Sequence, residues 1–168
     1  LRDTVRRRPA KSKSGAADKR LSLDRWIASR SLNVLVAEDN DVNQQLITAI
    51  LEKLNHQVVI APDGMMAIEL VESGDFDIVL MDVRMPVMDG LESTQIIRSM
   101  DGHRSKIPII ALTADVTAGN IVEYTKIGMD EVCGKPLVLP DLFKAMNKVM
   151  AEEIHTSIPS ASEIGRAH

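Results

Sequence analysis

The stretch from Ile78 to Gly90, Ile-Val-Leu-Met-Asp-Val-Arg-Met-Pro-Val-Met-Asp-Gly, decides the fold. An apolar run of Ile78, Val79, Leu80 and Met81 ends abruptly on one carboxylate, Asp82, and passes into the turn-forming segment Met85-Pro86-Val87-Met88-Asp89-Gly90. A short continuous apolar run of this kind reads as a parallel strand buried on both faces. It delivers an acid to the carboxyl edge of the sheet, where open α/β folds place their ligands. Three other runs repeat the pattern: Val34-Leu35-Val36-Ala37 ends on Glu38-Asp39, Ile109-Ile110-Ala111-Leu112 ends on Thr113, and Glu131 to Gly134 ends on Lys135-Pro136. Acids, a hydroxyl and a lysine at one edge make a polar pocket on an apolar sheet.

The chain of 168 residues suits one domain with tails. Its hydrophobic fraction of 45% supplies a core, but only 2% of residues are aromatic, so that core is built from Val, Ile, Leu, Met and Ala. The net charge of -4 hides an asymmetry: residues 1–30 carry 10 Lys+Arg against 3 Asp+Glu, leaving 10 against 21 for the remainder. An acidic globular body argues against nucleic acid as the main partner. The single cysteine, Cys133, has no internal disulfide partner, and neither a signal peptide nor an apolar run of about 18 residues is present. A reducing, cytoplasmic setting without direct membrane contact is the expectation. Because the chain begins on Leu1, it is expected to be a piece of a longer protein, and the Gly165-Arg166-Ala167-His168 end is treated as an appended sequence.

Residues 1–30, rich in Arg, Lys, Ser and Ala, read as a basic flexible linker, with Leu21, Leu23, Trp26 and Ile27 as a short helical lead. From residue 31 to 153, short apolar strands alternate with amphipathic helices. Strands are expected at Asn33 to Ala37, Val58 to Ala61, Ile78 to Asp82, Ile107 to Leu112 and Glu131 to Cys133. A first helix starts near Asp41 with Val42, Leu46, Ala49, Ile50 and Leu54 on its inner face, and a second follows Asp63-Gly64 with Met66, Ala67, Leu70 and Val71 inward. A third runs from Leu91 to Met100 with Ile96 and Ile97 facing in, a fourth from Thr117 to Ile127, and a fifth from Pro140 to about Glu152. Five βα units imply a single doubly wound α/β domain: a five-stranded parallel sheet with helices on both faces. Residues 154–168 read as a polar tail.

Glu38, Asp39 and Asp82 converge on one edge, and such like charges are tolerated when a divalent cation sits among them. Oxygen-only ligands without His or Cys favour Mg²⁺ over zinc. Lys135 adds a point charge, Thr113 a hydroxyl and the turn after Asp82 a backbone carbonyl. Metal, lysine and hydroxyl around one acid form the clamp that phosphoryl transfer needs, and a carboxylate can serve as its nucleophile.

With these motifs the chain resembles the receiver domain of two-component response regulators, in the variant fused to hybrid sensor histidine kinases. The matching residues are Val36-Ala37-Glu38-Asp39-Asn40 with Asn43-Gln44, then Met81 to Gly90, Ala111-Leu112-Thr113-Ala114, Gly128-Met129-Asp130 and Lys135-Pro136, and the likeness spans about Leu32 to Glu153. The resemblance implies a flavodoxin-like sheet of order 2-1-3-4-5. It implies that Asp82 takes a phosphoryl group from a phosphohistidine in a reaction the domain itself catalyses, and that the product hydrolyses slowly. Asp39 and Asp82 would bind Mg²⁺ with the carbonyl of Arg84, and Glu38 would help through water. Lys135 and Thr113 would contact the phosphate, and the bond before Pro136 would be cis. The implied partners are the dimerisation and phosphotransfer domain of a histidine kinase or a separate histidine phosphotransfer protein. Arg84 and Asp115 would flank the path of the attacking water, where opposite charges could pair and tune the phosphoryl lifetime. One departure stands out: the switch position three residues before the lysine, usually Tyr or Phe in the family, is Val132, a stiff β-branched residue without a lever.

Other readings weigh against this one. Asp39-x-Asp41 mimics the motif of haloacid-dehalogenase-type phosphatases, with Asp39 as nucleophile, but the chain is short for such an enzyme and carries Lys-Pro after its fifth strand. A calcium loop beginning at Asp39 fails, because Gln44 and Ile50 stand where Gly and Glu are needed. A phosphate-independent docking module is the third class. Structurally, Thr113 could merely cap the fourth helix and Lys135 could be a solvated surface residue. The four histidines, His56, His103, His155 and His168, sit in turns or tails without ligand spacing. No ATP-binding kinase motif or DNA-reading helix pair occurs in the chain.

Overall fold

Aliphatic runs too short for helices and too apolar for a solvated face have one stable use, as strands covered on both sides. The computed structural model, which describes residues 30–157 and side chains through Glu152, places all five of them in one parallel sheet. The strands are β1 (Asn33–Ala37), β2 (Gln57–Ala61), β3 (Ile78–Asp82), β4 (Ile109–Thr113) and β5 (Glu131–Gly134), in the order β2-β1-β3-β4-β5. The helices are α1 (Asp41–Lys53), α2 (Gly64–Ser73), α3 (Gly90–Arg98), α4 (Ala118–Ile127) and α5 (Leu139–Ser157). The basic segment 1–29, with its expected helical lead, and residues 158–168 lie outside the described residues.

Side chains alternate across the strands, so the sheet has two apolar faces. Val34, Val36, Ile78, Leu80, Ile110 and Leu112 pack against α1 and α5, while Leu35, Ala37, Val79, Met81, Ile109 and Ala111 pack against α2, α3 and α4. Every residue of β3 and β4 is buried. Each large aliphatic side chain there contributes roughly 1.5–3 kcal/mol. Helix starts at the carboxyl edge are capped by side chains: Asn40, Asp63, Asp89 and Thr117 each accept a backbone N–H of the following turn. At the opposite edge one guanidinium closes the loops, Arg98 donating to the carbonyls of Gly128, Ser105 and Ile107 and to the Asp130 carboxylate at 2.7–3.0 Å. His56 is structural: its Nδ1 accepts the Leu32 N–H at 3.1 Å, and burial holds the imidazole below its usual range against the pull of Asp77.

Several elements differ from expectation. In α1 the buried residues are Ile47, Ile50 and Leu51, whereas Val42 is 71% exposed and Leu46 44%. Two apolar stripes overlap on this helix, and the choice falls to Asn43 and Gln44, whose amides bond Glu38 and turn their own side of the helix toward the sheet. On α2, Ala67 and Val71 are buried but Met66 faces out. β4 begins at Ile109 because Pro108 has no N–H to donate and the Ile107 N–H turns back to Arg104 in the short 3₁₀ segment Gly102–Lys106. Helix α5 runs through to Ser157, into the stretch read as tail; no breaker intervenes before Pro159, which disfavours helical backbone at the residue ahead of it.

The turn after β3 is closed by short backbone bonds. The Gly90 N–H donates to the Val83 carbonyl at 2.9 Å, Gly64 N–H to Met88 at 3.1 Å, and Met88 N–H closes on Pro86 at 2.7 Å around Val87, whose φ is 68°. That three-residue turn at positive φ is strained for a β-branched residue. A Cβ on Gly90 would run into the carbonyl oxygen of Asp82 and lie 2.8 Å from Met81 Cγ. Gly90→Ala is therefore expected to lower folding stability by about 1–3 kcal/mol in urea titration, as overpacking against backbone does. Wild-type stability in that variant would contradict the close approach.

Candidate functional site

Parallel register assembles the site from strand ends. Ala37 pairs with Met81, so the next residues, Glu38 and Asp82, emerge side by side; Asp82 pairs with Leu112, which brings up Thr113, and Thr113 pairs with Gly134, which brings up Lys135. The Lys135–Pro136 bond is cis, and the Lys135 N–H donates to the Thr113 carbonyl at 2.8 Å. Lys135 Nζ lies 2.9 Å from Asp82 Oδ2 and 3.1 Å from Glu38 Oε2. Together with Asp39, Arg84, Asp115 and Tyr124, these residues line an open cleft of about 430 Å³. A larger cleft of about 550 Å³ lies at the amino edge of β3, β4 and β5, where Asp75, Asp77, His103, Arg104 and Lys106 mix both signs of charge. Convergent chemistry belongs to the smaller one.

Glu38 and Asp82 are 0% and 4% exposed, so neither carboxylate is solvated as an ion would be in water. Burial pushes Asp82 up to about 6, its hydrogen bond and charge contact with Glu38 push the same way, and Lys135 opposes them. Burial also works to raise Glu38, but hydrogen bonds from Asp82, Asn43 and Lys135 outweigh it and hold that carboxyl low. The two acids thus move in opposite directions within one cluster. Glu38 has the richer set of donors, including Asn43 Nδ2 at 2.7 Å, which is why it is the lowered member of the pair and Asp82 the raised one. Burial would lower the Lys135 ammonium, and the paired carboxylates more than restore it.

Carboxylate oxygens of Glu38, Asp39 and Asp82 lie within 4.8 Å of one another. One ammonium facing three acids leaves an excess of negative charge, and an oxygen-only set at this separation fits a hard divalent cation. Asp39 is the exposed member. Lys135 pairs with Asp82 and Glu38, and nothing comparable activates Asp39 among the described residues. Thr113 is not the cap of α4, a task Thr117 performs.

Arg84 and Asp115 both reach the cleft rim, but no ion pair joins them; the Asp115 carboxylate instead accepts the Thr117 N–H at 3.2 Å. Both are exposed, and short loop bonds outcompete a pair held by long solvated side chains. Val132 lies outside the cleft, paired with Ala111 and packed against the apolar cluster beneath. Cys133 is also buried away from it, with burial first and Glu131 and Asp141 next raising the thiol to about 11. Three contributors were missed as site residues. Asn43 and Gln44 hold Glu38 through its side chain and carbonyl, each at 2.7 Å. Tyr124 places its hydroxyl 3.4 Å from Thr113 Oγ1. A lone tyrosine in a chain with 2% aromatic residues was the available signal.

The sequence profile of the response regulator receiver domain matches residues 34–147. Among curated proteins, the chain is 37% identical over 122 residues to the transcription factor SKN7 of Candida albicans, covering 73% of this chain and 21% of that protein. To the hybrid signal transduction histidine kinase G of Dictyostelium discoideum it is 32% identical over 133 residues, 78% of this chain and 4% of the relative. The chain therefore spans no more than 21% of either relative's length. A solved receiver domain of a sensor histidine kinase from Pseudomonas aeruginosa PAO1, described with a magnesium ion coordinated in its active site cleft, superposes with a TM-score of 0.67. The two share 34% identity over 73% of this chain and 99% of that one.

The raised Asp82 value sets a pH dependence. An acid whose folded value lies above its unfolded one contributes stability that is fully present below about pH 4 and is lost as pH rises through about 6. In metal-free buffer, Asp82→Asn is expected to gain on wild type between those limits, by up to about 3 kcal/mol for two units, and to hold that lead at higher pH. Urea unfolding of both proteins from pH 4 to 8 with a chelator present measures it. A stability gap that stays constant across the series would refute the assignment.

Proposed function

The chain belongs to the response regulator receiver domains of two-component signalling, and from that premise we propose that it accepts a phosphoryl group from a phosphohistidine onto Asp82. One observation carries the choice of residue: Asp82 is the buried acid at the end of the central strand, with the Lys135 ammonium 2.9 Å from its Oδ2. An Asp82 carboxylate oxygen attacks phosphorus, the P–O bond forms as the P–N bond to the donor imidazole breaks, and the electron pair of that bond stays on the ring nitrogen. Lys135 and Thr113 hold phosphoryl oxygens as charge redistributes, which is where a preorganised ammonium and hydroxyl lower the barrier. Asn43 and Gln44 keep Glu38 aimed into the cleft throughout. Later attack by water returns free phosphate and the carboxylate, slowly.

Support for Mg²⁺ comes from the all-oxygen donor set and from the magnesium described in the related Pseudomonas receiver. Glu38, Asp39, Asp82 and the backbone carbonyl of Arg84 are the groups that would hold it. When bound, Mg²⁺ neutralises the crowded carboxylates and the phosphoryl oxygens. The donor histidine belongs to the dimerisation and phosphotransfer domain of a histidine kinase or to a histidine phosphotransfer protein. Likeness to the Dictyostelium hybrid kinase supports a place within a hybrid sensor kinase. No helix among the described residues is long and apolar enough to cross a membrane. Arg84 and Asp115, both lining the cleft, act singly on the path of the hydrolytic water.

Exposure to a small phosphodonor with Mg²⁺, followed by mass spectrometric mapping, is expected to label Asp82 and to leave Asp82→Asn unlabelled but folded. Label on Asp39 would indicate a hydrolase, and no label at all a docking module. Millimolar Mg²⁺ should raise the melting temperature of wild type by mass action, and an indifferent protein would count against the site. Arg84→Ala and Asp115→Ala are expected to change the half-life of the phosphorylated protein; unchanged half-lives in both would retire the rim role.

A further inference from the structure

Thr113 has one hydroxyl proton and two lone pairs. The Asp115 N–H fills one lone pair at 3.1 Å. What remains faces two oxygens, the Asp115 carbonyl and the Tyr124 hydroxyl, each at 3.4 Å. Both distances exceed the 2.5–3.0 Å of a good O–H···O bond, so this hydroxyl is underused and easily re-aimed. Tyr124 is 5% exposed, and the bond to Thr113 is the one that its hydroxyl makes among the described residues. It is also the single buried side chain of α4, whose Ile121 and Val122 are turned outward at 39% and 54% exposure. The helix is therefore fixed to the core by the same side chain that touches Thr113.

We propose that the Tyr124 hydroxyl, through its contact with Thr113, positions that residue for the phosphoryl group on Asp82 and carries the phosphorylation state to helix α4. The inference rests on the functional reading above. Once the Thr113 proton is donated to an anionic phosphoryl oxygen, the hydroxyl has one free lone pair and no second proton. Tyr124 then becomes the donor, in a chain running from phenol to threonine to phosphoryl oxygen. A bond to an ionised acceptor is stronger than a neutral one, and bonds in series polarise in the same sense. To join that chain, the 3.4 Å separation contracts by about 0.6 Å toward the usual hydroxyl distance, drawing the ring and the helix it anchors toward the cleft. Val132 takes no part; the aromatic ring beside Thr113 comes from α4 and not from β5. Tyr124 is thus a positioning residue acting through Thr113.

Tyr124 is the single tyrosine of the chain, so protein labelled with ¹³C at tyrosine Cζ gives one resonance to follow. On addition of beryllofluoride and Mg²⁺, that resonance should shift in wild type and in Thr113→Ser, which keeps the hydroxyl, and should stay in place in Thr113→Ala. Tyr124→Phe should keep the metal-free melting temperature while binding beryllofluoride about fivefold more weakly, the size of one hydrogen bond. In a Thr113→Ala background the same substitution should change nothing further. An unmoved wild-type resonance with beryllofluoride bound, or an equal affinity loss in both backgrounds, overturns the proposal while leaving the phosphoacceptor role intact. Failure of wild type to bind beryllofluoride at all overturns that role, and this inference with it.

Discussion

Two buried carboxylates, Glu38 and Asp82, stand side by side because β1 and β3 are parallel neighbours in a fixed register. Their mutual repulsion is the constraint that the rest of the carboxyl edge answers. Lys135 reaches across from β5 to both acids, Asn43 and Gln44 tie down Glu38, and burial raises the Asp82 carboxyl. None of this is the cheapest way to end two strands, since apolar or singly charged ends would avoid the desolvation. A site held in this state favours an added cation, and with it a phosphoryl group whose oxygens need the same positive charge.

The two ends of the sheet are treated differently. At the amino edge, the Arg98 guanidinium satisfies three carbonyls and a carboxylate, and that carboxylate, Asp130, also accepts the Ile109 N–H at 2.8 Å. A cation with four such bonds closes an edge. The carboxyl edge keeps Asp39, Arg84 and Asp115 at its mouth, a strained turn at Val87, and a threonine hydroxyl with long, poorly made bonds. Strain and incomplete bonding gather at the edge that carries the acidic cluster and its cleft.

Among the five α-helices, α4 has the fewest buried side chains: one tyrosine, against three aliphatics in α1. A helix with little burial moves at small cost in packing, and the residue that anchors it touches the cleft. The exposed Val116, Ile121 and Val122 on and before that helix would register such a movement on the surface.

The amino-acid sequence by itself determined the five strands, their parallel arrangement, and the residues delivered to one edge. These are local signals: an apolar run and its abrupt polar end lie within a few residues of each other, so Asp82, Thr113 and Lys135 can be read without knowing what surrounds them. The face that α1 buries could not be read so, because two apolar stripes overlap and the decision comes from bonds that Asn43 and Gln44 make to Glu38. Nor could the separation of Arg84 from Asp115, the reach of Lys135 to Glu38 across 97 residues of chain, or the meeting of Tyr124 with Thr113. Those depend on where side chains from distant segments come to rest, and only the packed sheet and its covering helices determine that.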